Sequence, residues 1–453
     1  MTAFNKDYFL GEVYEVNPQG VGIKFASVKV SADFHYEGIG GNVGDFIVIE
    51  GKNYGFLARI NEITLQNALN AGDFNSGGGV FGKAELLLTF KISQPDKAQK
   101  TVFIYPAIGE KVYCCSNEQV QLYVQSFGKN NKAAEVFADL GVLVSNEVKC
   151  NVSLNALFKR HCAVVGTTGG GKSWTVSKLL EEVIDKTNNK IILFDATGEY
   201  NTIKSKTYVL GQNAYFPYQK LTLQDLFILL RPSAQSQRST LLEAARSLKI
   251  VRLSGKTGTY KKAYMQRKEY NSFYEKFVKE IEDNSCNFDI NYLVPQLKEE
   301  CVSYFPEGWG AADVKMYDMQ ASLVNTIINM LNTSVFNDLF GFKNISSQSE
   351  SIIDAVENFL TDPQNQILRI NLENVSSLFY AKEITANALG SYLLEKARKR
   401  EFTKNPLILV VDEAHQFLNK NADYGSSADG ESFPLNAFDL IAKECRKHGV
   451  FLC

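Results

Sequence analysis

Eight consecutive residues, Gly166-Thr167-Thr168-Gly169-Gly170-Gly171-Lys172-Ser173, constrain this 453-residue chain more than any other segment. They satisfy the pattern GxxxxGK[ST] at every fixed position. The apolar run Cys162 to Gly166 leads into them and reads as a buried strand. Trp174 to Lys186 follows, with Val176, Leu179, Leu180, Val183 and Ile184 at helical spacing on one face. A strand, a glycine loop and a helix start in this order aim backbone N–H groups and the positive end of a helix dipole at one anion. Glycine is required because side chains would block that approach and because several positions need unusual φ/ψ. The expectation is a phosphate-binding loop formed by Gly166, Thr167, Thr168, Gly169, Gly170, Gly171, Lys172 and Ser173, with Trp174 adjoining it. Lys172 would contact the β- and γ-phosphates of ATP, and Ser173 would hold Mg²⁺. The alternative is a flexible glycine turn without a nucleotide.

The rest of the chain fits an α/β domain around this loop. Lys190 to Asp195 (KIILFD), Gln366 to Leu372 (QILRINL) and Leu407 to Glu413 (LILVVDE) are short apolar runs of the kind found in a parallel sheet covered on both faces. Residues 221–342 lack convincing strands and read as a helical insertion between core strands. Residues 1–125 instead show short alternating runs bounded by Gly, Asn, Pro or Asp, GEVYEV through QKTVFIYPAI, which suggests a small β-barrel. Residues 126–160 connect the two, with a short helix at Lys132 to Leu140 and candidate strands LGVLV and NVSLN. The SGGG stretch from Ser76 reads as an exposed loop because no lysine or helix start follows it, and Tyr424 to Phe433 as a mobile surface loop.

Two acids end an otherwise apolar strand at Asp412 and Glu413. An unpaired buried charge is expensive, so something must stabilise them. Beside the phosphate loop, Mg²⁺ would do so. Asp412 would hold the metal or its waters and Glu413 would orient and deprotonate the attacking water. Asp195 ends the strand after the loop helix, where strand C-termini line a ligand crevice, so it reads either as a further metal ligand or as a turn cap. His415 would sense nucleotide state or pack against the sheet.

Composition narrows the context. With 45% hydrophobic and 22% charged residues this is an ordinary globular composition. Eight cysteines without CxxC spacing and four scattered histidines argue against a disulfide scaffold or a zinc site. No run approaches the roughly 18 apolar residues of a membrane span, and the start lacks a signal-peptide pattern, so a cytoplasmic protein is expected.

The segments RHCAVVGTTGGGKS (Arg160 to Ser173), ILFDATGEY (Ile192 to Tyr200), VVDEAHQF (Val410 to Phe417) and IAKECRKHGV (Ile441 to Val450) together resemble the ordered motifs of HerA-type ATPases, in the HerA/FtsK branch of P-loop motors. The β-rich N-terminus is similar to the barrel such proteins carry. The resemblance implies a RecA-like core over residues 161–453 and a homo-hexameric, ATP-driven motor on double-stranded DNA. It also implies a partner nuclease or, in some phage-defence relatives, a sirtuin-like NADase effector. Arg446 resembles the arginine offered across a subunit interface to a neighbour's γ-phosphate; the alternative is a basic residue complementing its helix dipole. Cys445 stands where the family usually has glycine. Relative to the family, the chain stops at Cys453 inside the next core strand, so the C-terminal part of the core is expected to be missing.

The formal net charge of −2 is unevenly spread. Residues 231–268 hold ten basic residues against one acid, Glu243, or +9, which leaves −11 on the remainder. This segment reads as a sequence-independent DNA contact, a solvated basic face or a docking surface for an acidic partner. Two functions remain open: a DNA-translocating motor that feeds an effector, in anti-phage defence or DNA end processing, and a nucleotide-controlled scaffold that organises one. The absence of membrane helices counts against a third, the coupling ATPase of conjugation.

Overall fold

The computed structural model describes residues 4, 6–26, 41–66, 79–99, 104–126, 135–144, 147–233, 235–343, 345–418 and 435–453. Contacts divide the chain into two units, residues 1–159 with 174–186, and residues 160–173 with 187–453.

In the first unit the strands are β1 (Phe9–Asn17), β2 (Gly20–Phe25), β3 (Phe46–Glu50), β4 (Tyr54–Gln66), β5 (Gly79–Lys91), β6 (Gln94–Gln99) and β7 (Lys111–Cys114). They pair in the order β2-β1-β7-β3-β4-β5, and β2 pairs again with β5, which closes a six-stranded antiparallel barrel; β6 adds to β5 as a hairpin. Closure leaves those six strands with no unpaired edge. Alternation along β3 explains the inside and the outside. Ile47 and Ile49 join Val13, Ile23, Phe56, Ile60 and Val112 in the barrel interior. Val48 points the other way, to Leu57, Leu88 and Tyr113, where Val120 and Val124 of the helix Asn117–Ser126 cover them. Register shifts at Val13/Glu15 and Ile60/Glu62 give β1 and β4 the local bends that a small barrel demands.

Two expectations for this unit are corrected. The strand expected at Gln99 to Ile108 is absent over 104–108, and Lys100 to Phe103 fall outside the described residues. The barrel is completed instead by the four-residue β7, too short to show a periodicity of its own. The helix expected from Lys132 is replaced, over its described part, by β8 (Phe137–Val142), which pairs antiparallel with β9 (Lys149–Ser153). Cross-strand partners override helix propensity here. Of the SGGG stretch only Gly79 is described, as the first residue of β5.

The helix segment Trp174–Lys186 packs in this unit through a buried carboxylate. Glu182 accepts the Asp139 N–H at 2.8 Å and pairs with Lys178 at 3.0 Å and Lys186 at 2.6 Å, while Lys186 also donates to the Phe137 carbonyl at 2.7 Å. Burial opposes its charge, but Lys186, the Asp139 amide and Lys178 outweigh burial and hold the carboxyl at about 2.

In the second unit a parallel sheet runs in the order β11-β16-β10-β17-β18, with β10 at Lys190–Asp195, β11 at Lys206–Val209, β16 at Ile367–Asn371, β17 at Leu407–Val411 and β18 at Val450–Leu452. Ile191 sits level with Ile367 on one side and Ile408 on the other, so β10 is central and almost wholly buried. Phe194, Leu368, Leu389, Leu409 and Phe438 belong to one continuous core. The insertion is mostly helical, as expected, and the sequence marks at least one helix start: Thr222 and Asp225 form a reciprocal capping box for Leu223–Leu230. It also contains a hairpin of β13 (Val302–Tyr304) and β14 (Trp309–Ala312). Just outside the expected bounds, β12 (Ala214–Tyr215) pairs with β15 (Glu350–Ser351). The hairpin's apolar anchor is Trp309, packed with Ile250, Tyr270, Ile281 and Val302.

The run Cys162 to Gly166 does not join the ladder as the expected buried strand. Cys162 donates its N–H to the Leu452 carbonyl at 3.0 Å and Leu452 donates to His161 Nδ1 at 2.9 Å, but Val165 is 87% exposed. Among the described residues no helix is long and apolar enough to cross a membrane.

Because the Glu182 carboxyl lies below the ordinary glutamate value, its stabilisation is present above that value and is lost as pH falls towards about 2. Glu182→Gln is expected to cost about 1.5–3 kcal/mol at neutral pH, the range for charged hydrogen bonds. Denaturant titration should find that the difference from the parent shrinks below about pH 4, near the reference glutamate value.

Candidate nucleotide-binding site

Three segments of the second unit are linked by side-chain contacts: the loop 166–173, the turn 195–200 after β10, and the end of β17. The loop opens a helix as predicted, without the expected strand before it. Gly169 and Gly171 take φ of +76° and +81°, which L side chains rarely adopt. The Thr167 carbonyl accepts the Gly170 N–H at 3.0 Å and the Lys172 ammonium at 3.1 Å. Residues 166–171 are exposed and the helix begins at Lys172, so the loop lies open at a helix N-terminus. Trp174 is 68% exposed.

The turn 195–200 is built on a buried ion pair. Arg369 on β16 donates Nε to Asp195 Oδ2 at 2.7 Å, with its second nitrogen at 2.6 Å, and also reaches the Gly198 carbonyl at 3.2 Å. Asp195 accepts the Gly198 N–H at 2.7 Å through its other oxygen, and its side chain is fully buried. Both carboxylate oxygens are therefore engaged by protein donors. The metal-ligand reading of Asp195 gives way to the turn-anchoring one, because a cation there would have to compete with a guanidinium. Gly198 has φ +82°, a backbone conformation that L side chains rarely adopt, so the turn favours glycine at this point.

The anchored turn delivers three side chains. Glu199 accepts the hydroxyl proton of Ser173. Tyr200 donates its hydroxyl to Asp412 Oδ1 at 3.3 Å, and Thr197 donates to Asp412 Oδ2 at 3.1 Å. Tyr200 is itself buried, and burial together with the Asp412 charge pushes its hydroxyl pKa up. Burial also raises the Asp412 carboxyl above the usual aspartate value; the Thr197 hydroxyl restrains it, and the Glu413 and Asp195 charges add to the rise. Asp412 is thus a carboxylate short of positive charge. A serine hydroxyl and a carboxylate short of countercharge, beside an open glycine loop, suit a hard divalent cation such as Mg²⁺ and a phosphate chain.

Glu413 follows in a left-handed backbone conformation, φ +46° and ψ 45°, uncommon for a residue other than glycine, asparagine or aspartate. Its Oε2 lies 3.1 Å from His415 Nδ1, and the His415 side chain is exposed rather than packed against the sheet. Arg446 is exposed in the turn Cys445–His448, next to the fully buried Cys445. Residues 419–434, which include the expected surface loop, lie outside the described set.

Sequence pattern alone marks neither Thr197 nor Arg369 and assigns no role to Glu199 or Tyr200. One signal was available: an arginine inside the apolar strand QILRINL must find a partner, because an unpaired buried charge is costly.

The basic segment 231–268 is largely committed within its own unit. Arg246 pairs with Glu243 and Glu282, both at 2.7 Å, and Lys261 with Glu299 at 2.8 Å. Lys262 pairs with Glu300 inside a box formed by Tyr270 and Trp309, each ring 5.0 Å away. Lys249 is buried against the carbonyls of Ile281 and Asp283, and Arg252 reaches the Asn287 carbonyl. Arg231, Arg238 and Arg267 lie over aromatic rings. Only Lys256 and Lys268 are exposed without a described partner. Glu282, Glu299 and Glu300 offset three of the nine excess charges, and Arg231, Arg252, Lys256, Lys261 and Lys268 stay exposed, so the segment is a partly neutralised basic face.

A family model described as "Helicase HerA, central domain" matches residues 138–401, more than half of the chain. The DNA double-strand break repair helicase HerA of Sulfurisphaera tokodaii is 24% identical over 381 residues, 82% of this chain and 62% of its own length. The protein of the same name from Saccharolobus solfataricus is 23% identical over 437 residues, 90% of this chain and 73% of its own. Among solved structures, VirB4 of Thermoanaerobacter pseudethanolicus covers 62% of this chain and 91% of its own at 13% identity and a TM-score of 0.35, too distant to add to the fold. By the extent of the family match, this chain belongs to the family of the HerA helicase central domain.

Proposed function

We propose that this chain is an ATP-hydrolysing motor subunit that works in a ring, moves double-stranded DNA and serves a partner nuclease or other effector. The observation that carries the ATPase reading is the network joining Ser173 of the glycine loop, Glu199 and Tyr200 of the turn, and Asp412 at the end of β17. Membership of the HerA family supports it, and the names of the relatives supply the link to DNA.

In this reading Lys172 leaves the Thr167 carbonyl for the β- and γ-phosphates. Ser173 and Asp412 hold Mg²⁺, which when bound would offset charge on the phosphates. Glu413 orients the attacking water and takes its proton, with His415 able to hold or release the carboxylate as the site fills. Arg446, exposed on its turn, suits a role in a neighbouring subunit's site, which would tie turnover to assembly. The scaffold reading, in which nucleotide controls assembly around an effector, is favoured by one observation: the basic segment offers few uncommitted charges for a phosphate backbone.

Lys172→Ala is expected to abolish ATP turnover, and Glu413→Gln to bind ATP while hydrolysing it about 10²–10⁴-fold more slowly, the usual share of a general base. Near-parental turnover in either variant would sink the assignment. On the motor reading, long linear duplex DNA raises ATP turnover and added salt weakens the effect. No stimulation, together with a stable effector complex, selects the scaffold. Asp412 also predicts a pH signature. Its raised carboxyl pKa stabilises the nucleotide-free fold below the ordinary aspartate range, and that contribution is lost as pH rises through the raised value. Asp412→Asn should therefore melt higher than the parent at neutral pH without ligand, lose that advantage in acid, and gain less from Mg²⁺ with ATP.

A further inference from the structure

Ser173 carries one hydroxyl proton, and where that proton points decides what the oxygen's lone pairs face. The proton goes to Glu199, not to Asp412 at the end of β17. Both Asp412 oxygens are instead engaged by Thr197 and Tyr200. Asp195, the acid the sequence marks most plainly in this turn, is committed to Arg369. Glu199 is thus the turn's exposed carboxylate in contact with the phosphate loop.

We propose that Glu199 is a positioning residue for the divalent cation. By accepting the Ser173 proton it turns the Oγ lone pairs away from itself, towards the Tyr200 hydroxyl and an incoming cation, and its negative charge favours a cation beside that oxygen. This rests on the nucleotide-site reading above and assigns within it a role that neither Asp195 nor Asp412 fills.

The geometry constrains Glu199 from both sides. On one side Gly198 is held by its N–H on Asp195 and by its carbonyl on Arg369. On the other, the buried Tyr200 ring fixes the chain and its hydroxyl reaches Asp412. Glu199 is held between two fixed neighbours, so the turn sets its backbone position while its carboxylate meets Ser173. Outer-shell partners that orient a metal ligand typically change metal affinity 10–100-fold when removed.

The test is a Mg²⁺ titration of the binding of a fluorescent ATP analogue to the full chain, read without turnover, with thermal melting of each protein in EDTA. Glu199→Ala should raise the half-saturating Mg²⁺ about 10–100-fold. Its melting temperature in EDTA should match the parent's, because the side chain is exposed. Glu199→Gln keeps an acceptor for the Ser173 proton but loses the charge, and should recover part of the shift. A half-saturating Mg²⁺ in Glu199→Ala within about twofold of the parent, well inside the range expected for an outer-shell partner, overturns the proposal and leaves the nucleotide site standing. Failure of the parent itself to bind the analogue with Mg²⁺ overturns both. A lowered melting temperature in EDTA with an unchanged Mg²⁺ requirement makes Glu199 merely structural.

Discussion

The site depends on one buried ion pair. Arg369, level with Leu193 on the neighbouring strand, reaches diagonally from β16 to Asp195 on β10, and the pair shapes the turn that leaves β10. Removing one member of such a pair leaves an uncompensated charge in low dielectric, typically worth 3–5 kcal/mol. More is at stake than stability. Arg369 also holds the Gly198 carbonyl, while Asp195 holds the Gly198 amide, so the backbone of the turn is clamped from both ends. Thr197, Glu199 and Tyr200 are presented by that clamp, and through them the phosphate loop and the end of β17 share one hydrogen-bond network.

A parallel sheet makes this convergence possible. All its strands end at the same edge, so residues far apart in sequence, such as Asp195 and Asp412, come together there without long side chains. The consequence is electrostatic crowding. Asp412 has two other carboxylates as neighbours and is partly buried, which raises its carboxyl pKa in the free protein. The left-handed backbone at Glu413 is a second unfavourable feature at the same strand end. Sites that bind cations commonly carry such costs, which the bound ion offsets.

Charge in the insertion behaves the opposite way. Counted along the chain, residues 231–268 are strongly basic; in space Glu282, Glu299 and Glu300 come back to meet Arg246, Lys261 and Lys262. Lys262 and Glu300 are both buried, and two aromatic rings supply further favourable contacts for the ammonium. A local charge count measures a footprint only when the charges remain in solvent.

What the amino-acid order determined by itself was local. Glycine spacing around Lys172, the apolar runs of β10, β16 and β17, and the alternation in the barrel strands each follow from conformational preferences or burial periods that act over a few residues. The short β7 and the replacement of a helix by β8 were not legible, because each is decided by the partner a strand finds. The same holds for Asp195. Its sequence position suits a cation or a turn equally well, and only the guanidinium arriving from β16, 174 positions away, settles which. Glu199, one residue beyond the Gly198 carbonyl that Arg369 holds, meets Ser173. Pairing energies between distant residues, not local propensity, assign the carboxylates their roles.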